Sequence, residues 1–328
     1  MTADNNKVIN NSEILFIYEA KLCNPNGDPD DENKPRIDPK TRINLVSDVR
    51  LKRFFRNYII DIYGEDKIWV STVNGSHVDA TERLDALKTN NESDVDDENK
   101  PRIDPTKIVL NKCIDARLFG ATIPLKGDRR GARGETHSII GPVQFSWGFS
   151  LHPVELVDSA TITSMFKGRE TEAEAGTMGK DWRLYYSLIA FYGVISGMRA
   201  KNSSLTNNDI KILDNMLWES MVMDATTRSK IGHTPHLYMR IEYKNNNYLH
   251  GDLRRYVKVG SSDRPIRKLE DLTVKLDALV NQLNNMELID AIYIRTSQDF
   301  NNILNNAGRL TKQPINLPHN NIDITSLQ

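Results

Sequence analysis

A chain of 328 residues, 39% of them hydrophobic, is long enough to bury a core as one large domain with insertions or as two ordinary ones. Lys plus Arg (43) balances Asp plus Glu (44), so no whole-molecule field marks a nucleic-acid binder and any such site must be local. Two cysteines, Cys23 and Cys113, without a secretory leader fit a reduced cytoplasmic chain, too poor in thiols for a disulfide scaffold or a thiolate zinc cluster, and no run of about 18 apolar residues exists to span a membrane.

Glu13 to Lys21 reads as a strand, stopped by the turn cluster Asn24-Pro25-Asn26-Gly27-Asp28-Pro29. A polar loop follows that contains DDENKPRIDP from Asp30 to Pro39, and the same ten residues recur from Asp96 to Pro105. From Ser47 the pattern turns helical. Leu51, Phe55, Tyr58, Ile59 and Ile62 share one face, Lys52, Arg53 and Arg56 the opposite arc, Arg50 its edge, and Gly64 is the stop. Ile68 to Thr72 is a weaker strand candidate, Asn74 to Glu98 an acidic insertion, and Ile108 to Phe119 a short helix.

Arg129, Arg130 and Arg133 stand among glycines between Lys126 and Gly141, the composition of a flexible basic loop. Val143, Phe145, Trp147, Phe149 and Leu151 alternate with small or polar residues, the clearest strand signal in the chain. Glu155 to Lys180 reads as an irregular excursion with Met165, Phe166 and Met178 as apolar tips. Trp182 to Ile195 is strand-like with a helix as the alternative, Asn207 to Asp224 is an amphipathic helix, and Leu237 to Tyr243 alternates as a strand. A helix fits Leu269 to Leu283 and a strand Ala291 to Thr296, with a loosely held tail from about residue 299. This order predicts an α+β fold: a ferredoxin-like βαββαβ sheet with helices on one face and long insertions. The aromatic RNA-stacking strand signature of that fold is missing, so RNA binding would fall to loops and helix flanks.

The first loop gathers Asp28, Asp30, Asp31, Glu32 and Asp38, but without the spacing of a calcium loop, and an acidic surface loop explains them as well. His233 and His236 are spaced H-x-x-H with no second ligand pair, so they read as ordinary surface histidines. No nucleophilic triad and no P-loop is present; the chain reads as requiring neither metal nor cofactor. The basic face of Arg50, Lys52, Arg53 and Arg56 is a solvated helix face taken alone. Beside the Asn/Gly turn, and with the Arg129 to Arg133 loop as a second patch, it becomes a phosphate-tracking surface.

Asn24 to Pro29 with Pro35-Arg36-Ile37-Asp38-Pro39, then Leu45-Val46-Ser47-Asp48-Val49-Arg50-Leu51-Lys52-Arg53, Arg117-Leu118-Phe119-Gly120 and Gly141-Pro142-Val143-Gln144-Phe145-Ser146-Trp147, resemble the crRNA-binding backbone subunit of type I CRISPR effector complexes, the Cas seven family, most of all its type I-B branch. The resemblance spans residues 13 to about 245. It implies one RRM-like domain over 1–328, with residues 73–141 as an inserted fingers and web region, 155–181 as a thumb and 299–328 as the tail. Copies would polymerise along one crRNA, each thumb displacing a base, and the guide would pair with target DNA. The partners implied are crRNA, adjacent copies, and the large and repeat-handle-binding subunits of the Cascade particle. Asn24, Asn26 and Gly27 would lie along the RNA backbone and Ser47, Arg50, Lys52 and Arg53 on phosphates. Arg42, Arg117, Arg129, Arg130, Arg133, Gln144 and Lys180 complete the polar set, and Met165 or Met178 would meet the displaced base. The competing expectation is a metal-dependent ribonuclease of the type III backbone class cutting target RNA with Asp38 or Asp28. A free-standing RNA-binding module is a third. The second DDENKPRIDP matches no family motif.

Overall fold

The computed structural model describes residues 7–89, 104–125, 135–158, 160–163, 178–224, 227–261 and 263–318. Strand β1 (Ser12–Cys23) is followed by a pair of short strands, β2 (Gly27–Asp28) and β3 (Lys34–Pro35), then by β4 (Ile43–Val46) and helix α1 (Asp48–Tyr63). An insertion carries α2 (Ala80–Thr89), α3 (Pro105–Lys112), α4 (Ile114–Phe119) and the hairpin of β5 (Gly120–Leu125) and β6 (Glu135–Ile140). The chain returns as β7 (Val143–Phe145) and β8 (Gly148–Pro153), leaves through the ladder of β9 (Thr161–Thr163) and β10 (Met178–Lys180), and re-enters as β11 (Leu184–Ile195). Helices α5 (Gly197–Ser203) and α6 (Asn207–Asp224) lead to β12 (His233–Tyr243). The last part adds β13 (Lys258–Ser261), β14 (Leu272–Lys275), α7 (Asp277–Asn284), β15 (Ile289–Thr296), α8 (Gln298–Ala307) and β16 (Ile315–Asn316).

The main sheet runs β16-β15-β12-β1-β11-β8-β4, with β7 also on β11. Its centre, β12-β1-β11-β8, is the expected βαββαβ frame: fourth strand, first, third and second, with α1 and α6 as the crossovers. β1 pairs antiparallel with β11 from Ser12 to Cys23 and with β12 from Ser12 to Ala20. Its side chains alternate between two cores. Ile14, Phe16, Tyr18 and Ala20 pack with α1 and α6, while Leu15 and Ile17 pack with a C-terminal layer of Leu276, Leu279, Leu283 and Phe300. Helices thus cover both faces rather than one. The tail expected to be loose provides α8 and β16, which adds to β15 in parallel.

Several further expectations change. The Val143 to Leu151 run is two strands. Between the pairs Gly193–Phe145 and Ala190–Phe149, β11 carries Phe191 and Tyr192 while its partner carries Ser146, Trp147 and Gly148. That extra residue is a bulge, and it flips the alternation. Gly148, Ser150 and His152 now point inward and Trp147 is 46% exposed. A Cβ on Gly148 would sit 2.4 Å from the Phe191 ring, so only glycine fits. The buried polar groups are paired: Ser150 Oγ accepts from Asn44 N at 2.9 Å and His152 Nε2 from Leu188 N at 3.1 Å. Leu269 to Leu283 is helical only from Asp277, because a 3-10 turn at Leu269–Asp271 and β14 take its first half. Ile68 to Thr72 forms no strand; Trp69 and Val70 spend their N–H groups on Asp115. The helix expected over Ile108 to Phe119 breaks at Cys113 into α3 and α4.

The insertion has its own small core of Trp69, Leu84, Leu87, Val109, Ile123 and Ile139. One buried carboxylate ties it to the frame. Asp115 is fully buried and accepts from Arg56 Nε at 2.8 Å, Trp69 N at 2.6 Å and Val70 N at 3.2 Å. Asp115→Ala is expected to destabilise the protein by about 3–5 kcal/mol, since it strands a buried guanidinium; denaturant unfolding checks this.

His233 and His236 are not surface residues, being 5% and 3% exposed, and three positions along a strand place them on opposite faces. His233 packs edge-on to Tyr18 and Phe54, and His236 stacks on Phe300. They cannot share a ligand. Burial, aided by Lys230 and Arg50, pushes His233 down to about 3. The unfolded chain therefore binds a proton that the folded chain refuses between pH 6.5 and about 3. Stability is lost as pH falls through that window, by about 1.4 kcal/mol per unit. Unfolding titrations should show His233→Leu shallower by that amount per unit than the parent chain.

Candidate nucleic-acid interface

Where β1 ends, the chain turns through Asn24-Pro25-Asn26-Gly27, and this turn is joined to the start of α1. Asn26 Oδ1 accepts from Ser47 N at 2.8 Å and from the Ser47 hydroxyl at 2.9 Å. The same hydroxyl accepts from Arg50 N at 3.3 Å as the helix N-cap. Asn24 is buried, and its amide donates to Asn33 O at 2.6 Å. A Cβ on Gly27 would lie 2.8 Å from that same carbonyl, so the two sides of the loop close only over glycine. The asparagine amides expected to meet phosphate are thus largely spent on shaping the turn and aiming the helix N-terminus.

The cationic face of α1 is thinner than its helical wheel implies. Arg50 pairs with Asp224 at 2.8 Å and lies 4.0 Å over the Phe54 ring. Its burial pulls its proton affinity down. Lys52 is buried, paired with Asp48 at 2.9 Å and 5.5 Å from the Phe119 ring centre; Arg56 is buried on Asp115. The arc predicted to face solvent is covered by α4, which brings Phe119 and Asp115 onto it. Arg53 alone of these four is exposed, and it has no ion pair among the described residues. Arg117 is also internal, held bidentately by Asp209 at 2.7 and 3.0 Å and donating to Leu110 O at 2.8 Å. Gln144 is half-buried and donates to Gly141 O at 2.9 Å.

Arg42 is exposed in the left-handed region at φ 61°, where the β4 approach leaves the acidic loop. Lys180 is exposed on β10, 5.9 Å from the Trp182 ring centre, and Lys34 lies 5.0 Å from the same ring. The excursion expected to be irregular therefore starts and ends in a paired ladder, Thr163 opposite Met178 and Thr161 opposite Lys180. Met165, Phe166, Arg129, Arg130 and Arg133 lie outside the described residues.

Residues 227–232, between α6 and β12, are an element that sequence reading passed over. Asn24 N donates to Ser229 O at 3.0 Å and Lys21 N to Gly232 O at 2.9 Å. Lys230 Nζ donates to the Asn24 carbonyl and reaches Pro25 O at 3.4 Å. Burial, reinforced by Arg50, lowers the Lys230 ammonium to about 8. Arg228 and Arg183 share Asp181 at 2.9 and 2.8 Å. The available signal was the basic run Thr227-Arg228-Ser229-Lys230 between a helix and a strand.

The loop carboxylates hold turns. Asp28 pairs with Arg36 at 3.1 Å and accepts from Asp30 N at 3.2 Å. Asp38 accepts from the Thr41 hydroxyl at 2.7 Å and Lys40 N at 3.0 Å, and these bonds, the hydroxyl first, hold its carboxyl below the usual range. Among the described residues no group of three or more His, Cys, Asp or Glu side chains is placed to hold a metal ion. Both copies of the repeated decapeptide end on an Asp-Pro cap: Asp38 caps a turn, whereas Asp104 accepts from Thr106 N at 2.9 Å to cap α3. Asp96 to Ile103 lie outside the described residues.

The CRISPR-associated protein Cas7 family matches residues 10–277 of this chain. A CRISPR-associated protein Cas7 of Haloferax volcanii is 32% identical over 299 residues, which cover 87% of this chain and 86% of that protein. Among solved structures, a chain of a CRISPR RNA-guided surveillance complex, pre-nicking, superposes with a TM-score of 0.52 at 12% identity, over 93% of this chain and 95% of its own, and so shares the fold. On the length of the family match and the identity to the archaeal relative, the chain belongs to the CRISPR-associated Cas7 family.

Proposed function

We propose that this chain is the non-catalytic crRNA-binding backbone subunit of a type I CRISPR effector complex in the cytoplasm. Several copies lie head to tail along one guide RNA and present it for pairing with target DNA. The ferredoxin-like sheet with α1 and α6 is the palm, residues 73–141 the fingers and 155–181 the thumb, whose methionines displace a base at each repeat. Adjacent copies, a large subunit and a repeat-handle-binding subunit are its protein partners. No described helix is long and apolar enough to cross a membrane, which is compatible with a particle free in the cytoplasm.

The observation that carries this reading is the junction of Asn26 with Ser47. It fixes a backbone turn against the N-terminus of a 16-residue helix, where free N–H groups and the dipole favour anions. Exposed Arg53, Arg42 and Lys180 supply cations without side chains that read bases. Arg50, Lys52 and Arg117 support the surface from within, each already paired with a carboxylate. The non-catalytic half of the reading is supported by Asp28 and Asp38, both committed to turn geometry.

Binding of single-stranded guide RNA, followed across salt concentrations, tests the assignment. Arg53→Ala is expected to weaken binding and to lower the slope of log affinity against log salt by about 0.7, the value for one phosphate contact on a single strand. An unchanged slope would remove Arg53 from the interface. Assembled particles incubated with complementary RNA and Mg²⁺ should leave that RNA intact; cleavage abolished by Asp38→Asn would replace this reading with the ribonuclease one.

A further inference from the structure

The bulge between β7 and β8 puts one large aromatic ring where nothing in the frame requires it. Trp147 is 46% exposed, and among the exposed large hydrophobic side chains of the described residues it is the one aromatic. A regular strand would have buried it with Phe145. Bulges re-aim side chains, and this one turns an indole out of the core at a site where transfer to water works against folding.

The ring's position is defined. β4 pairs with β8 through Leu45 to Phe149 and Val46 to Gly148, so Ser47 and Trp147 each lie one residue beyond the last pair, at the same end of that ladder. Ser47 is the cap of α1 and the partner of Asn26. The Trp147 carbonyl accepts from Arg254 Nη1 at 2.7 Å, and Arg254 is itself held by Asp252 at 2.7 Å. The indole is flanked by the Arg36 guanidinium, 5.9 Å from the ring centre. Arg36 is fixed in turn by Asp28, and its backbone N–H donates to Asn26 O at 3.2 Å. An exposed ring whose backbone carbonyl is held by Arg254, with one cation beside it and the Asn26 turn adjacent, has the parts of a base-stacking platform.

We propose that Trp147 stacks on an unpaired base of the bound single-stranded RNA, with Arg36 steering the neighbouring backbone. This rests on the RNA-binding reading above. It adds a contact to the base face, distinct from the phosphate contacts of α1. Stacking on a π face is indifferent to base identity, as a subunit that must accept any guide sequence requires.

The test is binding of the full chain to a short oligouridine and to the same oligomer carrying a single abasic position, scanned along its length. Trp147→Ala is expected to weaken binding to the intact oligomer roughly thirty-fold, the middle of the range for one stacked base. Trp147→Phe should keep most of the affinity, and neither change should alter the salt slope that Arg53→Ala lowers. On the wild-type chain one abasic position should reproduce the loss, and Trp147→Ala should add nothing to it. Undiminished binding by Trp147→Ala, or an equal further loss at every abasic position, would overturn the stacking while leaving RNA binding in place. Loss confined to multi-copy assembly on long RNA would overturn it too, since the ring would then seat on another copy. Absence of wild-type binding would overturn both readings.

Discussion

The rest of the structure depends on β1 being buried on both faces. A strand with Ile14, Phe16 and Tyr18 on one side and Leu15 and Ile17 on the other cannot be satisfied by one helical layer. It needs a layer on each side and a strand at each edge, and β11 and β12 supply those edges over most of its length. The C-terminal layer is therefore part of the fold's minimum rather than an appendage. Glu13 shows the same constraint in polar form. Fully buried at the start of β1, it accepts from the hydroxyls of Tyr192 and Tyr243 and from the N–H groups of His250 and Gly251 at 2.9 and 2.7 Å. The chain entering the C-terminal layer is thus tied to the central strand by hydrogen bonds that compensate a buried carboxylate.

Because β1 is held along its length, its exit is held too. Cys23 pairs with Leu184, Lys21 with Gly232, and Asn24 with Ser229, so the turn at 24–27 leaves the sheet from a fixed point. Loops that bind gain precision from such anchoring. The buried ion pairs of Arg56 with Asp115 and Arg117 with Asp209 join the insertion to α1 and to α6. Buried pairs of this kind add little net stability, but breaking one is costly, so they specify where the insertion sits. An apparently basic helix thereby becomes a mostly internal one, with few exposed cations left for a ligand.

Identical letters in different surroundings illustrate how context assigns roles. The Asp-Pro step that ends each copy of DDENKPRIDP caps whatever follows, a turn after Asp38 and helix α3 after Asp104. The first copy lies between the Asn26 turn and β4, and the second runs into the insertion, so only the first borders the candidate interface.

The sequence by itself determined the strand and helix types of the frame. β1, α1, α6, β12 and β15 follow from apolar runs and periodicities and, for α1, from the Gly64 stop, all of them local in the chain. The segments that carry the family resemblance were equally legible, because each is a short contiguous motif, from Asn24 to Pro29 through Arg117 to Gly120 and Gly141 to Trp147. Tertiary structure alone decided which charges are free and which ring is exposed. Lys52 and Arg56 look alike on a helical wheel to Arg53, but Phe119 and Asp115 reach them from elsewhere in the chain, as Asp209 reaches Arg117. The Trp147 bulge is likewise invisible to alternation, because one extra residue opposite β11 inverts which side chains face the core. Both depend on partners far apart in sequence, and no local pattern records such contacts.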